Sequence, residues 1–250
     1  MDQTTAAFRP SKGLTTSVVL LLGASAFLSL VAAGSAWMDV EMLSKYQSPQ
    51  EMIDSGEWIG AGIRAALIGI PSFFVWVATV ICFCIWIVKA SKNARALGAQ
   101  GMQITPGWAA GWFFIPLANL VMPFKAVSEI WKASEPEPNA DPTAWKRVPA
   151  TPVAVWWSLW VTSAIIGGIS FQMGFGGAAG IAVLKTATYV QILGSVVSML
   201  CAFAAVTVVR GIQFRQEHKA SLIASGAARL TPRVGESVNS NDYLRKAPAA

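Results

Sequence analysis

Four long apolar runs constrain this chain more than any other feature of its sequence. They cover residues 14–37, 67–88, 153–173 and 189–209, and none of them contains Asp, Glu, Lys or Arg. About 20 such residues form a helix that crosses the roughly 30 Å of hydrocarbon in a bilayer. The sequence therefore predicts an all-α integral membrane protein with four transmembrane helices in two hairpins. The first run exceeds the roughly 7–15 apolar residues of a signal peptide, so we expect an uncleaved span.

Small residues recur at every fourth position inside three of these runs, where they would let a second helix approach closely. The three rows are Ser25, Ser29 and Ala33 in the first run, Ser163 and Gly167 in the third, and Gly194, Ser198 and Ala202 in the fourth. We expect these rows to mark the faces on which the spans pack.

Charge and cysteine content exclude several classes of protein. Charged residues make up only 13% of the chain, about half the share of a soluble domain. The net charge is +6, but the bases stand at the ends of the apolar runs and no nucleic-acid-binding motif is present, so no nucleic-acid partner is expected. Three cysteines and one histidine are too few for a zinc site or a disulfide framework. We expect no metal and no cofactor.

The distribution of Lys and Arg predicts the orientation of the chain in the membrane. With both termini in the cytoplasm, 16 of the 19 bases lie on the cytoplasmic side, and only Lys45, Arg64 and Lys185 lie outside, as the positive-inside rule requires. The location expected is the cytoplasmic membrane, with the lipid bilayer as a partner. The connecting segments are a cytoplasmic tail (1–13), a non-cytoplasmic loop (38–66), a cytoplasmic Pro-rich loop (134–152), an outer glycine-rich turn (174–180), and a basic, largely disordered cytoplasmic tail (210–250).

The least ordinary stretch lies between the second and third spans. The second span is expected to continue into the cytoplasm over residues 67–98 and to end at Gly98, a residue suited to the left-handed C-terminal cap of a helix. Residues 106–133 follow, beginning with Thr105-Pro106, a typical helix start. They contain an uncharged segment, 107–124, that Pro116 and Pro123 interrupt.

Bases on both sides of residues 107–124 predict that this segment enters and leaves the membrane from the cytoplasm. It is therefore expected to be a re-entrant or interfacial hairpin, with a fifth span as the alternative. Beyond Pro123 the apolar residues fall on one side of a helix, and Lys125 and Glu129 are spaced as an i,i+4 pair on the other. We expect this amphipathic helix to lie in the membrane interface.

Polar and aromatic residues of this stretch are the candidate ligand-binding, partner-binding or structural motif. Asn93 and Asn119 either satisfy backbone groups freed at Gly98, Pro116 and Pro123 or orient a ligand, and the first alternative is favoured. Trp108, Trp112 and Trp131 are interpreted as interface anchors rather than stacking platforms. The full set is Trp86, Lys89, Lys92, Asn93, Arg95, Gly98, Pro106, Trp108, Trp112, Pro116, Asn119, Pro123, Lys125 and Trp131.

The sequence offers no catalytic constellation, and no catalytic residue is assigned. Ionisable residues are absent from the four spans and from residues 107–124, whereas proton relays and ion-coupled transporters need such groups at depth. His218, between Glu217 and Lys219, is interpreted as a solvated surface residue, and neither an HExxH nor a GxSxG motif occurs. We expect the protein not to be an enzyme.

The central motifs resemble a bacterial membrane family, domain of unknown function 4328. The resemblance rests on the patterns W-x(6)-N-A-x(2)-L-G, P-x-W-A-x-G-W-F-F-I-P-x-A-N-L-x(2)-P and I-W-x-A-S, and it covers roughly residues 60–215. The matching residues are Trp86, Asn93, Ala94, Leu97 and Gly98, then Pro106, Trp108, Gly111, Trp112, Phe113, Ile115, Pro116, Asn119, Leu120 and Pro123, and finally Ile130, Trp131 and Ser134. The resemblance implies a multi-pass bacterial membrane protein and carries over no activity and no catalytic residue.

These observations favour a non-catalytic membrane platform that binds an anionic lipid headgroup or another membrane protein. The hypothesis rests on a collar of bases beside the uncharged, Trp-rich, Pro-broken segment; they are Lys89, Lys92, Arg95 and Lys125. A small-solute channel or transporter is the first alternative, because interrupted helices often form transport sites. A lipid-acting membrane enzyme is the second.

Overall fold

The computed structural model describes residues 8–136, 143–175 and 180–225, which are helical apart from short connections. The α-helices are α1 (Lys12–Leu43), α2 (Pro49–Ser55), α3 (Glu57–Ala96), α4 (Pro106–Gly111), α5 (Met122–Ala133), α6 (Thr151–Phe175) and α7 (Ile181–Ala224), with 3-10 turns at Trp112–Phe114, Ala118–Leu120 and Ala144–Arg147. Parts of four predicted segments lie outside the described residues: 1–7 of the first tail, 137–142 of the Pro-rich loop, 176–179 of the glycine-rich turn and 226–250 of the last tail.

Four of these helices, α1, α3, α6 and α7, are long and apolar enough to cross a membrane, which confirms the expectation from the apolar runs. Two of them are much longer than a bilayer requires. With 40 residues, α3 extends for about 60 Å, and α7 with 44 residues is longer still. Both therefore extend well beyond any 30 Å hydrocarbon layer.

The predicted loop over residues 38–66 is mostly helical in the structure. α1 continues to Leu43, α2 occupies part of the connection, and α3 begins at Glu57. The local sequence explains the two breaks, because the Ser48 hydroxyl accepts the N–H of Glu51 at the start of α2 and Gly56 ends α2 with φ +72°. A salt bridge of 2.5 Å between Arg64 and Asp39 then ties α3 to α1. We call this the acidic end of the bundle.

The opposite, basic end holds the start of α1, the end of α3, the start of α6 and the end of α7. Here α7 passes the predicted span limit at Val209 and continues to Ala224, although residues 210–250 were expected to be a largely disordered tail. The extension persists because Ile212, Gln213 and Gln216 are buried against the rest of the bundle. Tertiary burial, rather than the hydrophobicity of a span, decides where this helix ends.

α1 packs between α3 and α7, and α7 packs between α1 and α6. Members of the small-residue rows of α6 and α7 meet in the contact between these two helices. Ser163 of α6 and Ser198 of α7 have their hydroxyl oxygens 2.7 Å apart, and a Cβ at Gly194 would stand 3.1 Å from Cγ2 of Ile166. Small side chains therefore permit the close approach of α6 and α7 that their spacing predicted.

The apolar core lies toward the basic end, where α4 packs on α3 and where α5 packs on α3, α6 and α7. Its aromatic centre joins α3 to α6 and to the segment after α4: the ring of Phe83 is 5.9 Å from that of Trp156 and 5.6 Å from that of Phe113. The amphipathic helix α5 turns its apolar face into this core. Val127 is fully buried, and Ala126 and Ile130 are almost so, so protein covers the face that was expected to lie in the membrane interface.

Trp131 of α5 is the tightest contact between α5 and α7. A Cβ added at Gly211 would lie 2.5 Å from Cζ3 and 2.8 Å from Cη2 of the Trp131 indole. Any side chain at Gly211 would therefore displace that ring. Trp131 is buried, so its expected role as an interface anchor is not what the structure shows.

We predict that Gly211→Ala destabilises the protein, because the added methyl group overlaps the indole of Trp131. Overpacking costs about 1–3 kcal/mol, which outweighs the roughly 1 kcal/mol gained from the higher helix propensity of alanine. Thermal unfolding in detergent would measure the loss. Gly168→Ala on α6 is the matched control, because its Cβ would meet nothing within 4 Å.

The combination with Trp131→Phe separates this contact from a general effect on α7. Phenylalanine lacks the indole ring carbons that the methyl group would meet, so the double variant should lose less stability than the sum of the two single changes. Strict additivity of the two losses would contradict the proposed overlap.

Candidate functional site

The segment between α3 and α4 is held from both sides by charged side chains. Arg95 of α3 donates from Nη2 to the carbonyls of Met102 and Ile104, at 3.4 and 2.7 Å. Glu129 of α5 accepts the backbone N–H groups of Gln103 and Ile104, at 2.6 and 3.0 Å. Charge-assisted hydrogen bonds of this kind are stronger than neutral ones. We call this arrangement the Arg95–Glu129 clamp.

The clamp changes two interpretations drawn from the sequence. Glu129 was expected to pair with Lys125 on the solvated side of α5, but both of its carboxylate oxygens bind backbone N–H groups instead. Arg95 was expected to belong to the basic collar, and its guanidinium instead grips the connecting segment. Gly98 ends α3 as expected, with φ +90° and its N–H donated to the carbonyl of Arg95.

Asn93 holds the residues that precede α1. Its Nδ2 donates to the carbonyl of Arg9 at 3.0 Å and its Oδ1 accepts the N–H of Arg9 at 3.2 Å. Lys89, one turn earlier on α3, donates to the carbonyl of Pro10 at 2.9 Å. The role of Asn93 is therefore to satisfy backbone groups, as favoured from the sequence, but these belong to the N-terminal segment and not to the helix end at Gly98.

Two buried glutamines of α7 join four helices at the basic end. Gln213 accepts hydrogen bonds from the hydroxyls of Ser11 and Thr15, at 2.6 and 2.9 Å. Gln216, with only 1% of its surface exposed, donates to the carbonyl of Ala90 at 2.8 Å and to the hydroxyl of Ser134 at 3.0 Å. These contacts tie α7 to α1, α3 and the end of α5. We call them the glutamine joint.

Trp86, the first residue of the predicted motif, completes the joint. Its indole Nε1 donates to the Thr15 hydroxyl at 3.1 Å, which in turn donates to Gln213. The glutamines themselves were not among the predicted site residues, because they fell in a segment interpreted as a disordered tail. The available signal was Ile212, an apolar residue that continues the helical spacing of Val208 and Val209 past the predicted span.

Trp131 lies within a second set of polar contacts on α7. The guanidinium of Arg215 sits 4.1 Å from the centre of the indole ring and forms an ion pair with Glu135. The indole Nε1 donates to the carbonyl of Pro149 at 3.2 Å. Burial lowers the pKa of the neighbouring Lys219, against a smaller opposing effect of Glu135. Trp131 thus fixes α5 to α7 and to the start of α6.

The hairpin between α4 and α5 bends by 112° across a break at residues 115–117. Pro116 has no N–H group and so cannot donate a backbone hydrogen bond at this break. The side-chain Nδ2 of Asn119 donates to the nearby carbonyl of Phe113, at 3.4 Å. Trp157 of α6 donates to the carbonyl of Leu120 at 3.1 Å and so holds the far side of the break. The side-chain amide of Asn119 therefore satisfies a backbone carbonyl, which is the alternative favoured from the sequence, and is not free to bind a ligand.

The remaining motif residues shape the two ends of the hairpin. Pro106 begins α4 after Thr105, whose side chain makes no capping hydrogen bond. Pro123 stands in the first turn of α5, and it is buried. Trp108 and Trp112 have ring centres 4.7 Å apart, and Trp108 is half exposed. Trp108 therefore keeps an exposed surface, whereas Trp131 does not, and the interpretation of Trp108 and Trp112 as interface anchors stays a prediction.

The tip of the hairpin carries apolar side chains that no other part of the described structure covers. Phe114, Leu117, Leu120 and Val121 are exposed, and Leu117 has 84% of its surface accessible. Leu117 also has φ +66°, the only such value among the described residues other than glycine. The N–H of Ala118 donates to the carbonyl of Pro116 at 2.8 Å, which closes a strained γ-turn around Leu117.

Four predicted collar bases thus divide into two pairs. Lys89 and Arg95 are engaged with backbone carbonyls, whereas Lys92 and Lys125 are exposed and make no hydrogen bond or ion pair within residues 8–136, 143–175 and 180–225. Lys125 follows the hairpin tip by one helical turn, since its N–H donates to the carbonyl of Val121. Lys125 and the apolar tip are therefore neighbours at the start of α5, whereas Lys92 lies on α3.

In the part of the chain that the structure describes, no group of three or more His, Cys, Asp or Glu residues could hold a metal ion. His218 is exposed, and its ring lies 6.0 Å from that of Phe214. The three cysteines are free thiols.

Comparison with known proteins yields one match. A family model described as Domain of unknown function (DUF4328) matches residues 50–213, which is more than half of the chain and spans α2 through the beginning of the α7 extension. No curated protein and no solved structure matches the chain.

We predict that Glu129→Ala releases the segment between α3 and α4, because the N–H groups of Gln103 and Ile104 lose their acceptor. Limited proteolysis should then cut within residues 99–105 much faster than in the unmodified protein. Lys125→Ala is the matched control, being an exposed change on the same helix. Equal cleavage of both variants would show that the clamp does not order the segment.

Proposed function

The chain belongs to the family described as domain of unknown function 4328, and we propose that it is a non-catalytic membrane platform whose basic end binds an anionic lipid headgroup. Family membership itself assigns no activity. The proposal places the basic end in the cytoplasm, where 16 of the 19 Lys and Arg residues would lie. The observation that carries it is an exposed apolar hairpin tip followed within one turn by the unpaired Lys125.

The strained backbone at Leu117 supports a role for the tip. A residue with a side chain at positive φ costs about 1–3 kcal/mol, and glycine would avoid that cost. The γ-turn points the large apolar side chain of Leu117 away from the protein. Exposure of this side chain is favourable only if hydrocarbon, and not water, surrounds it. A tip that enters the bilayer accounts for both the strain and the exposure.

Two exposed bases of the basic end supply the charge that an anionic headgroup would bind. Lys125 lies in the first turn of α5, directly after the tip. Lys92 is exposed on the part of α3 that extends beyond the predicted span. A base close to an anionic membrane surface contributes about 1 kcal/mol. Lys89 and Arg95 are committed to internal hydrogen bonds, so we assign headgroup contact to Lys92 and Lys125 alone.

We predict that the double replacement Lys92→Gln and Lys125→Gln weakens binding of phosphatidylglycerol about thirtyfold, because two contributions of about 1 kcal/mol each are lost. Bound phosphatidylglycerol would be counted by native mass spectrometry of protein purified in mild detergent. Lys185→Gln, a base of the acidic end, is the control and should bind as the unmodified protein does. Unchanged binding by the double variant would overturn the proposal, as would loss of a copurifying protein in place of lipid.

A cysteine probe at Leu117 tests whether the tip enters the bilayer. With Cys82, Cys84 and Cys201 replaced, a fluorophore at Leu117→Cys should be quenched by lipids brominated on their acyl chains. A fluorophore at Gln103→Cys should not, because that exposed side chain lies on the segment that the clamp holds. Equal quenching at the two positions would contradict an inserted tip.

The same Gln103→Cys variant tests the orientation. In intact cells a membrane-impermeant thiol reagent should fail to label it and should label Gln50→Cys, an exposed position on α2. The opposite pattern would place the basic end outside and remove the anionic cytoplasmic surface from the proposal.

A further inference from the structure

The half of the bundle toward the acidic end contains a cleft of about 600 Å³ with walls from all four long helices. Seven serines line this cleft, so its surface is rich in hydroxyl groups, whereas the rest of the spans is mostly apolar. They are Ser25, Ser29, Ser72, Ser163, Ser170, Ser195 and Ser198, and Gln191 of α7 joins them. We call this space the hydroxyl cleft.

The packing order of the helices creates the cleft. α1 and α7 pack along each other and form its floor, while α3 and α6 form its walls. Toward the basic end the walls are bridged by the rings of Phe83 and Trp156. Toward the acidic end they carry small side chains such as Ser72 and Gly167, which cannot fill the space between them.

Some polar groups of the cleft are already paired within the protein. Ser25 and Ser72 donate to the carbonyls four residues earlier on their own helices, at 2.9 and 2.7 Å, and Ser163 pairs with Ser198 at 2.7 Å. Three side chains are not: Ser29, Gln191 and Ser195 have no hydrogen-bond partner among the residues that the structure describes.

Unpaired polar groups at membrane depth point to a ligand that pairs with them. Lipid tails cannot accept or donate a hydrogen bond, so a hydroxyl or carboxamide left unpaired in hydrocarbon loses several kcal/mol of solvation, roughly 2–7. The three free side chains stand on α1 and α7, which together form the floor. An occupant with its own hydroxyl groups would satisfy them from the open side of the cleft.

The rest of the lining restricts what that occupant is. No ionisable residue lines the cleft, so a phosphate or ammonium group would lose its hydration without gaining a counter-charge. The other lining residues are apolar, among them Leu28, Trp76, Ile166 and Phe171, and suit an acyl chain. The volume falls in the usual range for a small-molecule site, about 300–1,000 Å³.

We infer that the hydroxyl cleft binds a lipid whose headgroup is uncharged and ends in a free hydroxyl group, as in a diacylglycerol. Ser29, Gln191 and Ser195 hydrogen-bond that hydroxyl and the adjacent ester carbonyls, and the apolar wall residues contact the upper part of its chains. This site is separate from the basic end, so it stands or falls independently of the platform proposed above.

The test is binding of dioctanoylglycerol to the purified protein in mild detergent, followed by native mass spectrometry and by the rise in thermal unfolding temperature. The probe for charge is dioctanoyl phosphatidylglycerol, which has the same chains. We expect dioctanoylglycerol to bind at least about tenfold more weakly when Ser195→Ala and Gln191→Leu are combined, because two pairing groups are lost. Ser158→Ala, an exposed serine of α6 outside the cleft, is the matched control and should not change binding.

Ser29→Leu provides a second, steric variant that fills the cleft from its floor and should abolish the thermal shift. Lys92→Gln with Lys125→Gln should leave dioctanoylglycerol binding unchanged, which separates this site from the basic end. The inference is overturned if dioctanoylglycerol fails to bind the unmodified protein. It is equally overturned if the phosphatidylglycerol probe competes for the cleft with equal affinity, or if the cleft variants bind as well as Ser158→Ala does.

Discussion

The hydrogen bonds of Gln213 and Gln216 are the interactions on which the basic end of this protein depends. A buried carboxamide is costly unless it is paired. Gln213 finds partners on α1, and Nε2 of Gln216 donates to α3 and to the end of α5, while Oε1 of Gln216 has no partner among the described residues. Apolar packing alone would let four long helices slide or rotate, whereas hydrogen bonds of fixed direction define one register. The hairpin, the clamp and the stacked Trp131 are all positioned by helices that the glutamine joint has brought together.

Hydropathy predicted the part of this fold that depends on the membrane, and it failed where protein replaces the membrane as the covering. The four apolar runs became four long helices, and Gly98 ended α3 as its conformational freedom suggested. The extension of α7 was missed because Gln213 and Gln216 look like tail residues until a partner surface is known. Trp131 and the apolar face of α5 were assigned to the interface for the same reason, since a sequence does not say whether lipid or protein covers an apolar side chain.

The sequence identified residues of the candidate site, but it did not identify which contacts these residues make. The motif residues do gather at the basic end. However, the side chains of Asn93, Lys89 and Arg95 form hydrogen bonds with backbone atoms of neighbouring segments. The partners of Glu129 could not be predicted from helical spacing, because they lie on a segment about 25 residues away. The residues that remain available to bind a ligand are Lys92, Lys125 and the exposed tip at Leu117. This set is smaller than the predicted collar of four bases.

The continuous helix α7 makes the two ends of the protein mechanically dependent on each other. Gln191 and Gln216 stand on one unbroken helix, about 38 Å apart at 1.5 Å per residue. Because α7 has no break, we expect repacking of its half toward the acidic end to strain the directional hydrogen bonds that Gln213 and Gln216 form at the basic end.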